Sequence, residues 1–129
     1  MTDGSPNLAA DAPAWLDGLF ASIDSMNAEA FAGFLTQDAE FIFGNAPGAR
    51  GREAIITAVG GFFSSIKALR HELTEVISRP DVLACWGNVT YTRHDDSQIT
   101  LPFADVFALN DDKISTYQIY MDVGPLYQS

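Results

Sequence analysis

The side chains best suited to move protons in this chain are Asp105, His71 and Asp122. Asp105 stands between Phe103 and Phe107 in an alternating apolar stretch, which predicts a carboxyl group on an inward-facing row. Removal from water raises a carboxyl pKa, and a neutral carboxylic acid can donate a hydrogen bond to an oxygen that gains charge. The alternative for Asp105 is a structural carboxyl, bonded to neighbouring side chains at the floor of a pocket.

Histidine is the usual acid or base near neutral pH, and His71 is one of two histidines in the chain. It shares a predicted strand face with Leu73 and Ile77. A hydrogen bond to Asp105 or Asp122 would make a usable acid–base pair. A core histidine that is satisfied by a backbone carbonyl fits the pattern equally well.

Asp122 lies on the last predicted strand. Strict alternation puts it on the face opposite Tyr117 and Met121, so a bulge or its place at the strand end is needed to turn it inward. Its alternative role is to cap the turn before Gly124 and Pro125.

An apolar pocket with few polar groups is the usual site for a flat or hydrophobic ligand. We expect its walls to come from aromatic, aliphatic and amide side chains, namely Trp15, Leu19, Phe43, Phe62, Trp86, Asn88, Phe103, Tyr117 and Met121. Plain core packing explains the same residues almost as well.

Metal and cofactor signatures are missing from the sequence. The two histidines are far apart and Cys85 is the single cysteine, so there is no zinc-binding spacing. The stretch from Gly48 to Gly51 lacks the strand-to-helix pattern of a phosphate-binding loop. We therefore expect no metal and no cofactor, and we interpret Cys85 as a small buried hydrophobic residue.

Length and charge restrict the class of protein and its partners. The 129 residues predict one domain, and 17 acidic against 7 basic residues give a net charge of −10. This charge repels nucleic-acid phosphates and anionic lipids, and the apolar runs are too short to cross a bilayer. One cysteine excludes an internal disulfide and the first residues lack a signal-peptide pattern, so we expect a cytoplasmic protein.

The N-terminal part of the chain predicts a tail and three helices. Residues 1–13 are small and polar, and we expect a flexible tail ahead of a single domain at 14–129. Helical spacing is found at 14–25, after the candidate N-cap Asn27 and from about 51 to 66.

Within the third helix, Gly60 and Gly61 each lower helix stability by about 1 kcal/mol relative to alanine. Such a pair of glycines indicates close packing or a bend.

The rest of the chain predicts strands. Residues 45–51 are expected to form a loop. Strands are expected at 39–44, 69–78, 82–94, 100–109 and 113–123, with a tight turn at 110–112.

Four consecutive strands with short turns form an antiparallel meander. The sequence therefore predicts an α+β fold, a cone-shaped α+β barrel in which three N-terminal helices pack in the hollow of one strongly curved, mainly antiparallel sheet. Several strands are apolar on both faces, so we expect a homodimer through the open face of the sheet.

Short motifs in a fixed order support this fold. They are Gly51-Arg52-Glu53-Ala54-Ile55, His71-Glu72-Leu73, Leu101-Pro102-Phe103-Ala104-Asp105-Val106-Phe107, Lys113-Ile114, Tyr120-Met121-Asp122 and Pro125-Leu126. With these motifs, the chain from about Ala14 to Leu126 resembles the SnoaL-like branch of the nuclear transport factor 2-like superfamily. The resemblance implies a cone-shaped pocket between sheet and helices, and frequently a homodimer.

The resemblance also implies roles for individual residues. Asp105 occupies a position similar to the hydrogen-bond donor of ketosteroid isomerases. Their general-base aspartate would fall near Phe43 and their oxyanion tyrosine near Leu19, so this chain differs from the usual isomerase. Polyketide cyclases of the SnoaL type carry an acid/base aspartate at a position similar to Asp122.

Two functions follow as expectations. The first is a cofactor-free isomerase, cyclase or dehydratase that acts by proton transfer on a small hydrophobic or polycyclic metabolite. Asp105 would donate the hydrogen bond, and His71 or Asp122 would act as acid or base. The second is a non-catalytic ligand-binding or dimerisation module of the same fold, which Phe43 and Leu19 favour.

Overall fold

The computed structural model describes residues 12–128, so most of the expected tail at 1–13 lies outside the described residues. The helices are α1 (Ala14–Asp24), α2 (Ala28–Ala32) and α3 (Arg52–Ser64). The strands are β1 (Leu35–Phe43), β2 (Ala49–Arg50), β3 (Ala68–Arg79), β4 (Val82–Thr92), β5 (Gln98–Asn110) and β6 (Lys113–Tyr120), and a 3-10 helix follows at Gly124–Tyr127. Within residues 12–128, no helix combines the length and the apolar character that crossing a membrane requires.

The strands form one curved, mixed sheet in the order β2-β1-β6-β5-β4-β3. β1 runs parallel to β6, and the other neighbouring pairs are antiparallel. Buried residues of the three helices pack on the inner face of this sheet in a single core. The predicted α+β architecture is confirmed, although the sheet does not close on itself within the described residues.

β5 follows the predicted alternation from Leu101 to Phe107, although its register with β6 shifts between Ala108 and Leu109. Leu101, Phe103, Asp105 and Phe107 of β5 are all buried on one face. The turn at Asp111 has a positive φ of 57°, a conformation that aspartate tolerates better than most residues. β5 therefore carries a carboxyl group into the core between two phenylalanines, as predicted.

The second helix is shorter and the first strand longer than predicted. Asn27 caps α2 as expected, because its Oδ1 accepts a hydrogen bond from the backbone N of Ala30 at 3.0 Å. β1 already begins at Leu35, which is fully buried and pairs with Ile114 of β6. Pairing with β6 outweighs the local helical spacing of this stretch.

A bulge in β3 changes which residues face the helices. The register with β4 shifts between Leu73 and Glu75, so Val76 is buried beyond the bulge whereas Ile77 is 51% exposed. The prediction that His71 and Ile77 share a face was wrong, because an extra residue reverses the alternation.

α3 runs without interruption through Gly60 and Gly61. A Cβ at either position would meet no atom within 4 Å among the described residues, so close packing does not explain the glycine pair. Arg52 anchors the start of this helix, since its Nε and Nη2 donate to the carbonyl oxygen of Leu35 at 3.1 and 2.5 Å. This contact joins α3 to the first residue of β1.

Candidate functional site

A cavity of about 300 Å³ lies between the helices and the inner face of the sheet. Its wall is mostly apolar and rich in aromatic rings, namely Phe31, Phe41, Phe43, Phe62, Phe63, Tyr91, Phe103 and Tyr117. Ala46, Pro47 and Ala58 border the cavity and are exposed, so it reaches solvent between α3 and the loop that follows β1. A small molecule has room here, and a largely apolar one would fit the wall.

Asp105 is a buried carboxyl group on this wall, with 2% of its surface exposed. The Tyr117 hydroxyl donates a long hydrogen bond of 3.5 Å to Oδ2, whereas Oδ1 has no partner among the described residues. Burial raises the pKa of the Asp105 carboxyl well above its ordinary value of 3.8, and the Tyr117 hydrogen bond offsets part of this effect. The neutral form of the carboxyl group is therefore favoured.

Two tyrosines share the wall with Asp105. Burial is the main cause that raises the pKa of both Tyr91 and Tyr117, and the nearby Asp105 adds to it, so both hydroxyls stay protonated. The Tyr91 hydroxyl lies 3.7 Å from the sulfur of Met121. Within residues 12–128, no group of three His, Cys, Asp or Glu side chains is arranged to hold a metal ion.

His71 borders the same cavity and is hydrogen-bonded to Asp24, the last residue of α1. Nδ1 of His71 lies 2.6 Å from Oδ1 of Asp24, and the backbone N of His71 donates to Oδ2 at 3.1 Å. Asp24 borders an outer groove instead of the cavity. The Asp24 contact therefore engages Nδ1, and Nε2 of His71 makes no hydrogen bond within residues 12–128.

The aromatic residues of the wall include a continuous series, which we call the aromatic belt: Tyr91, Phe62, Phe43, Phe41 and Tyr117. Successive ring centroids in this order are 5.7, 5.2, 6.4 and 5.3 Å apart. The belt ends at the Tyr117 hydroxyl, and therefore next to the carboxyl group of Asp105.

Seven of the residues selected from the sequence border this one cavity: Asp105, His71, Phe43, Phe62, Phe103, Tyr117 and Met121. Sequence analysis missed Asp24, because its contact with His71 joins residues 47 positions apart and has no local signal. It also missed Phe41 of the aromatic belt, although Phe41 lies two residues before the selected Phe43 and alternation along β1 puts both on one face.

Leu19 lies in the core and the half-buried Trp15 packs against it, so neither borders the cavity, contrary to the prediction. Leu19 is fully buried, and the ring centroid of Trp15 lies 6.3 Å from that of Phe107. Both come from α1, whose contribution to the cavity is Ile23 at its C-terminal end.

Trp86 and Asn88 face away from the cavity, so their assignment to the pocket was wrong. Cys85 and Val89 of the same strand are buried, and alternation therefore puts Trp86 and Asn88 on the outer face. Trp86 is 39% exposed there.

Asp122 lies beyond the end of β6, which stops at Tyr120, three residues earlier than predicted. The side chain is exposed, and its Oδ1 accepts a hydrogen bond from the backbone N of Gly124 at 2.9 Å. This is the turn-capping role that the sequence left open. Of the three acid–base candidates from the sequence, Asp105 and His71 border the cavity and Asp122 does not.

The sequence of this chain also identifies its family. A family model described as a SnoaL-like domain matches residues 16–117, a span that covers most of α1, all of α2 and α3, and the residues Asp24, His71 and Asp105. The chain belongs to the SnoaL-like family. The resemblance that the short motifs indicated is thereby confirmed. A comparison with curated proteins finds no match for this SnoaL-like protein.

Solved structures share the fold of this SnoaL-like protein at low sequence identity. A hypothetical protein with a ketosteroid isomerase-like fold from Catenulispora acidiphila, in complex with trimethylamine, is 15% identical with a TM-score of 0.77 over 84% of this chain and 85% of that chain. A putative SnoaL-like polyketide cyclase from Jannaschia is 15% identical, with a TM-score of 0.76 over 98% and 94% of the two chains. TerC, co-crystallised with polyporic acid, is 18% identical, with a TM-score of 0.75 over 95% and 96%.

Proposed function

We propose that this protein binds a small, uncharged, hydrophobic or polycyclic carbonyl compound and catalyses a cofactor-free proton transfer on it, as an isomerase, cyclase or dehydratase does. The observation that carries the proposal is the unpartnered Oδ1 of the buried Asp105 at an apolar cavity that His71 also borders. Two proteins of the same fold were crystallised with small molecules, polyporic acid and trimethylamine, which supports a ligand role for the cavity.

The proposed step divides the work between the two groups. Nε2 of His71 accepts a proton from a carbon next to the carbonyl, while Nδ1–H stays bonded to Asp24. The carbonyl oxygen then gains negative charge, and the protonated Asp105 donates a hydrogen bond to it. Return of the proton from His71 to another carbon gives an isomer. Transfer of the same proton to a hydroxyl group on the next carbon, which then leaves as water, gives a dehydrated product.

Deuterium exchange tests this step without knowledge of the natural substrate. A panel of neutral enones and polyketide-like ketones is incubated with the protein in D₂O, and deuterium uptake next to the carbonyl is followed by NMR. We expect uptake above the buffer rate for at least one compound, and a loss of about 100-fold in Asp105→Asn and in His71→Gln. Asp112→Asn, which changes an exposed carboxyl in the β5–β6 turn, is the matched control.

The second candidate is a non-catalytic binding module on the same fold. The observation that favours it is Phe43 on the cavity wall, at the position where related isomerases place their base. A ketone that binds in the cavity, shown by shifts of the Phe43 and Tyr117 ring signals, without any deuterium uptake would support this candidate and contradict the catalytic one.

The outer face of the sheet is proposed as a homodimer surface. Trp86, Ala104 and Tyr120 form one row across β4, β5 and β6, and the two aromatic residues are 39% and 59% exposed. Light scattering at micromolar concentration should give a dimer, and Trp86→Lys should give a monomer. Tyr127→Lys, at an exposed aromatic residue on the 3-10 helix, should stay dimeric. A monomeric wild-type protein would contradict the proposal.

A cytoplasmic location is part of the proposal. Cys85 is the single cysteine, and it is free and fully buried, which suits a reducing compartment. Fractionation of the producing cells, with the protein detected by an antibody, tests this location. Recovery of the protein from the medium would contradict it.

A further inference from the structure

The aromatic belt and Asp105 together have the composition of a site for an organic cation. Ring faces attract cations through their quadrupole, and the five rings of the belt follow one another around the wall as far as Tyr117. Asp105, next to the Tyr117 hydroxyl, supplies a carboxyl group whose Oδ1 is buried and has no partner among the described residues. An apolar wall with one carboxyl at its end has a single position for a positive charge.

The charge around the cavity favours the same ligand. No lysine or arginine from the part of the chain that the structure describes borders the cavity, and the imidazole of His71 on the wall is paired with the carboxyl group of Asp24. The whole chain carries a net charge of −10, which raises the local concentration of cations at the surface.

We propose that this cavity binds tertiary or quaternary ammonium ions that carry an apolar arm, with Asp105 as the counter-ion and the aromatic belt as the cage. The apolar arm fills the rest of the cavity of about 300 Å³ against side chains such as Val59 and Ile119. The mouth beside Ala46 and Pro47 gives such a ligand a path from solvent.

Binding of a cation changes the proton on Asp105. Burial favours the neutral carboxyl in the empty cavity, whereas an ammonium ion beside it favours the carboxylate. Four other titratable groups lie near Asp105. They are the Tyr117 hydroxyl at 3.5 Å, Cys85 at the paired position on β4, Tyr91 in the aromatic belt and His71 on β3. Burial raises the pKa of Tyr91, Tyr117 and Cys85 as well, so these three stay protonated while Asp105 ionises.

The linked proton gives the proposal a distinctive pH dependence. Below the raised pKa of Asp105, each bound ammonium ion releases about one proton, so the affinity rises about tenfold per pH unit. A neutral ketone that accepts a hydrogen bond from the protonated Asp105 shows the reverse, because its affinity falls when the carboxyl ionises. The proposal of ammonium binding and the proposal of proton transfer on ketones can therefore be confirmed or contradicted independently of each other.

The test compares phenyltrimethylammonium with tert-butylbenzene, which has the same shape without the charge. Dissociation constants are measured by protein-observed NMR titration at several pH values. We expect the cation to bind at least about tenfold more tightly at high pH, and to lose that preference in Asp105→Asn. The preference should persist in Asp112→Asn, which removes an exposed carboxyl from the same hairpin.

Two further measurements keep the proposal testable if Asp105→Asn does not fold. Phe43→Leu shortens the aromatic belt while Asp105 stays in place, and it should reduce the cation preference several-fold. Calorimetry of the wild-type protein in two buffers of different ionisation enthalpy should detect the released proton. Equal affinity for the cation and its neutral counterpart at every pH, or binding of the cation without proton release below the Asp105 pKa, would overturn the proposal.

Discussion

Nδ1 of His71 lies 2.6 Å from Oδ1 of Asp24, so the last residue of α1 holds the imidazole of β3 at the cavity wall. The second oxygen of Asp24 accepts a hydrogen bond from the backbone N of His71 at 3.1 Å. One carboxyl group thus fixes both the ring and the strand that carries it. The ring also packs against Phe20 and Phe103, at centroid distances of 4.9 and 5.1 Å, which restricts its rotation further.

Loss of the Asp24 carboxyl should release the ring of His71. In the wild-type protein we expect the tautomer with the proton on Nδ1, because that nitrogen donates to Asp24. Asp24→Ala should give a mixture of tautomers in ¹⁵N NMR spectra and slow deuterium uptake into a ketone substrate by about tenfold or more. Asp24→Glu should restore part of the tautomer preference and part of the rate of deuterium uptake. An unchanged tautomer in Asp24→Ala would show that Asp24 does not position the ring.

Asp105 should make stability depend on pH. Above its ordinary pKa of 3.8 the unfolded chain loses the Asp105 proton, whereas burial raises the folded pKa and the folded protein keeps it. The contribution of this group to the free energy of unfolding therefore falls as the pH rises from 3.8 to the folded pKa. Relative to wild type, Asp105→Asn should gain up to about 1.4 kcal/mol per pH unit in that window.

Urea unfolding at a series of pH values measures this difference between Asp105→Asn and wild type. Asp112→Asn serves as the control, since this exposed turn residue should change the stability by less than about 0.5 kcal/mol. A constant difference between Asp105→Asn and wild type at every pH would mean that the buried carboxyl ionises in the folded protein as readily as in the unfolded chain.

The candidate site was predictable where a strand alternates without interruption. Phe103, Asp105 and Phe107 share a face in the sequence pattern and in the structure, because β5 has no bulge between them. The chemistry expected of Asp105 follows from those two neighbours alone. The helix cap at Asn27 was equally local and equally predictable.

Features that depend on contacts between distant parts of the chain were not predictable. Alternation divides β4 into two faces but does not say which of them meets the helices, and so Trp86 was assigned to the pocket. The bulge after Leu73 reverses the alternation in β3 because of pairing with β4, which the local sequence does not reveal. Asp24 meets His71 only once α1 packs against β3.

Gly87 of β4 should not tolerate a larger residue without a large loss of stability. A Cβ at this position would lie 1.9 Å from the backbone oxygen of Glu72, and the two backbones meet where the bulge of β3 begins. Since neither strand can move without breaking its pairing, Gly87→Ala should destabilise the protein by about 3 kcal/mol or more in thermal or urea unfolding.

Gly60→Ala is the matched control for Gly87→Ala. Its Cβ would meet no atom within 4 Å among the described residues, and it lies in the interior of α3. The change should raise stability by about 0.5–1 kcal/mol, because alanine loses less backbone freedom in a helix than glycine does. A loss of stability at Gly60 would mean that this face of α3 contacts something else, such as a second subunit.

Arg93 should control how firmly the C-terminal segment closes the cavity. Its Nε donates to the carbonyl of Leu126 at 2.8 Å, and its Nη2 donates to the carbonyls of Pro125 and Gln128 at 3.0 and 3.3 Å. Met121 and Val123, just ahead of these residues, border the cavity. Arg93→Met should therefore increase amide hydrogen exchange from Met121 to Gln128, and Arg93→Lys should do so less.

The matched control for Arg93 is Arg50→Met, which removes an exposed ion pair with Glu40 and should change stability by less than about 0.5 kcal/mol. Because the guanidinium of Arg93 is part-buried and its bonds are charge-assisted, Arg93→Met should cost about 1–3 kcal/mol. A ligand in the cavity should also dissociate faster from Arg93→Met, since two wall residues become more mobile. Unchanged exchange in this segment would mean that Leu126, which is buried in the core, holds it without help from Arg93.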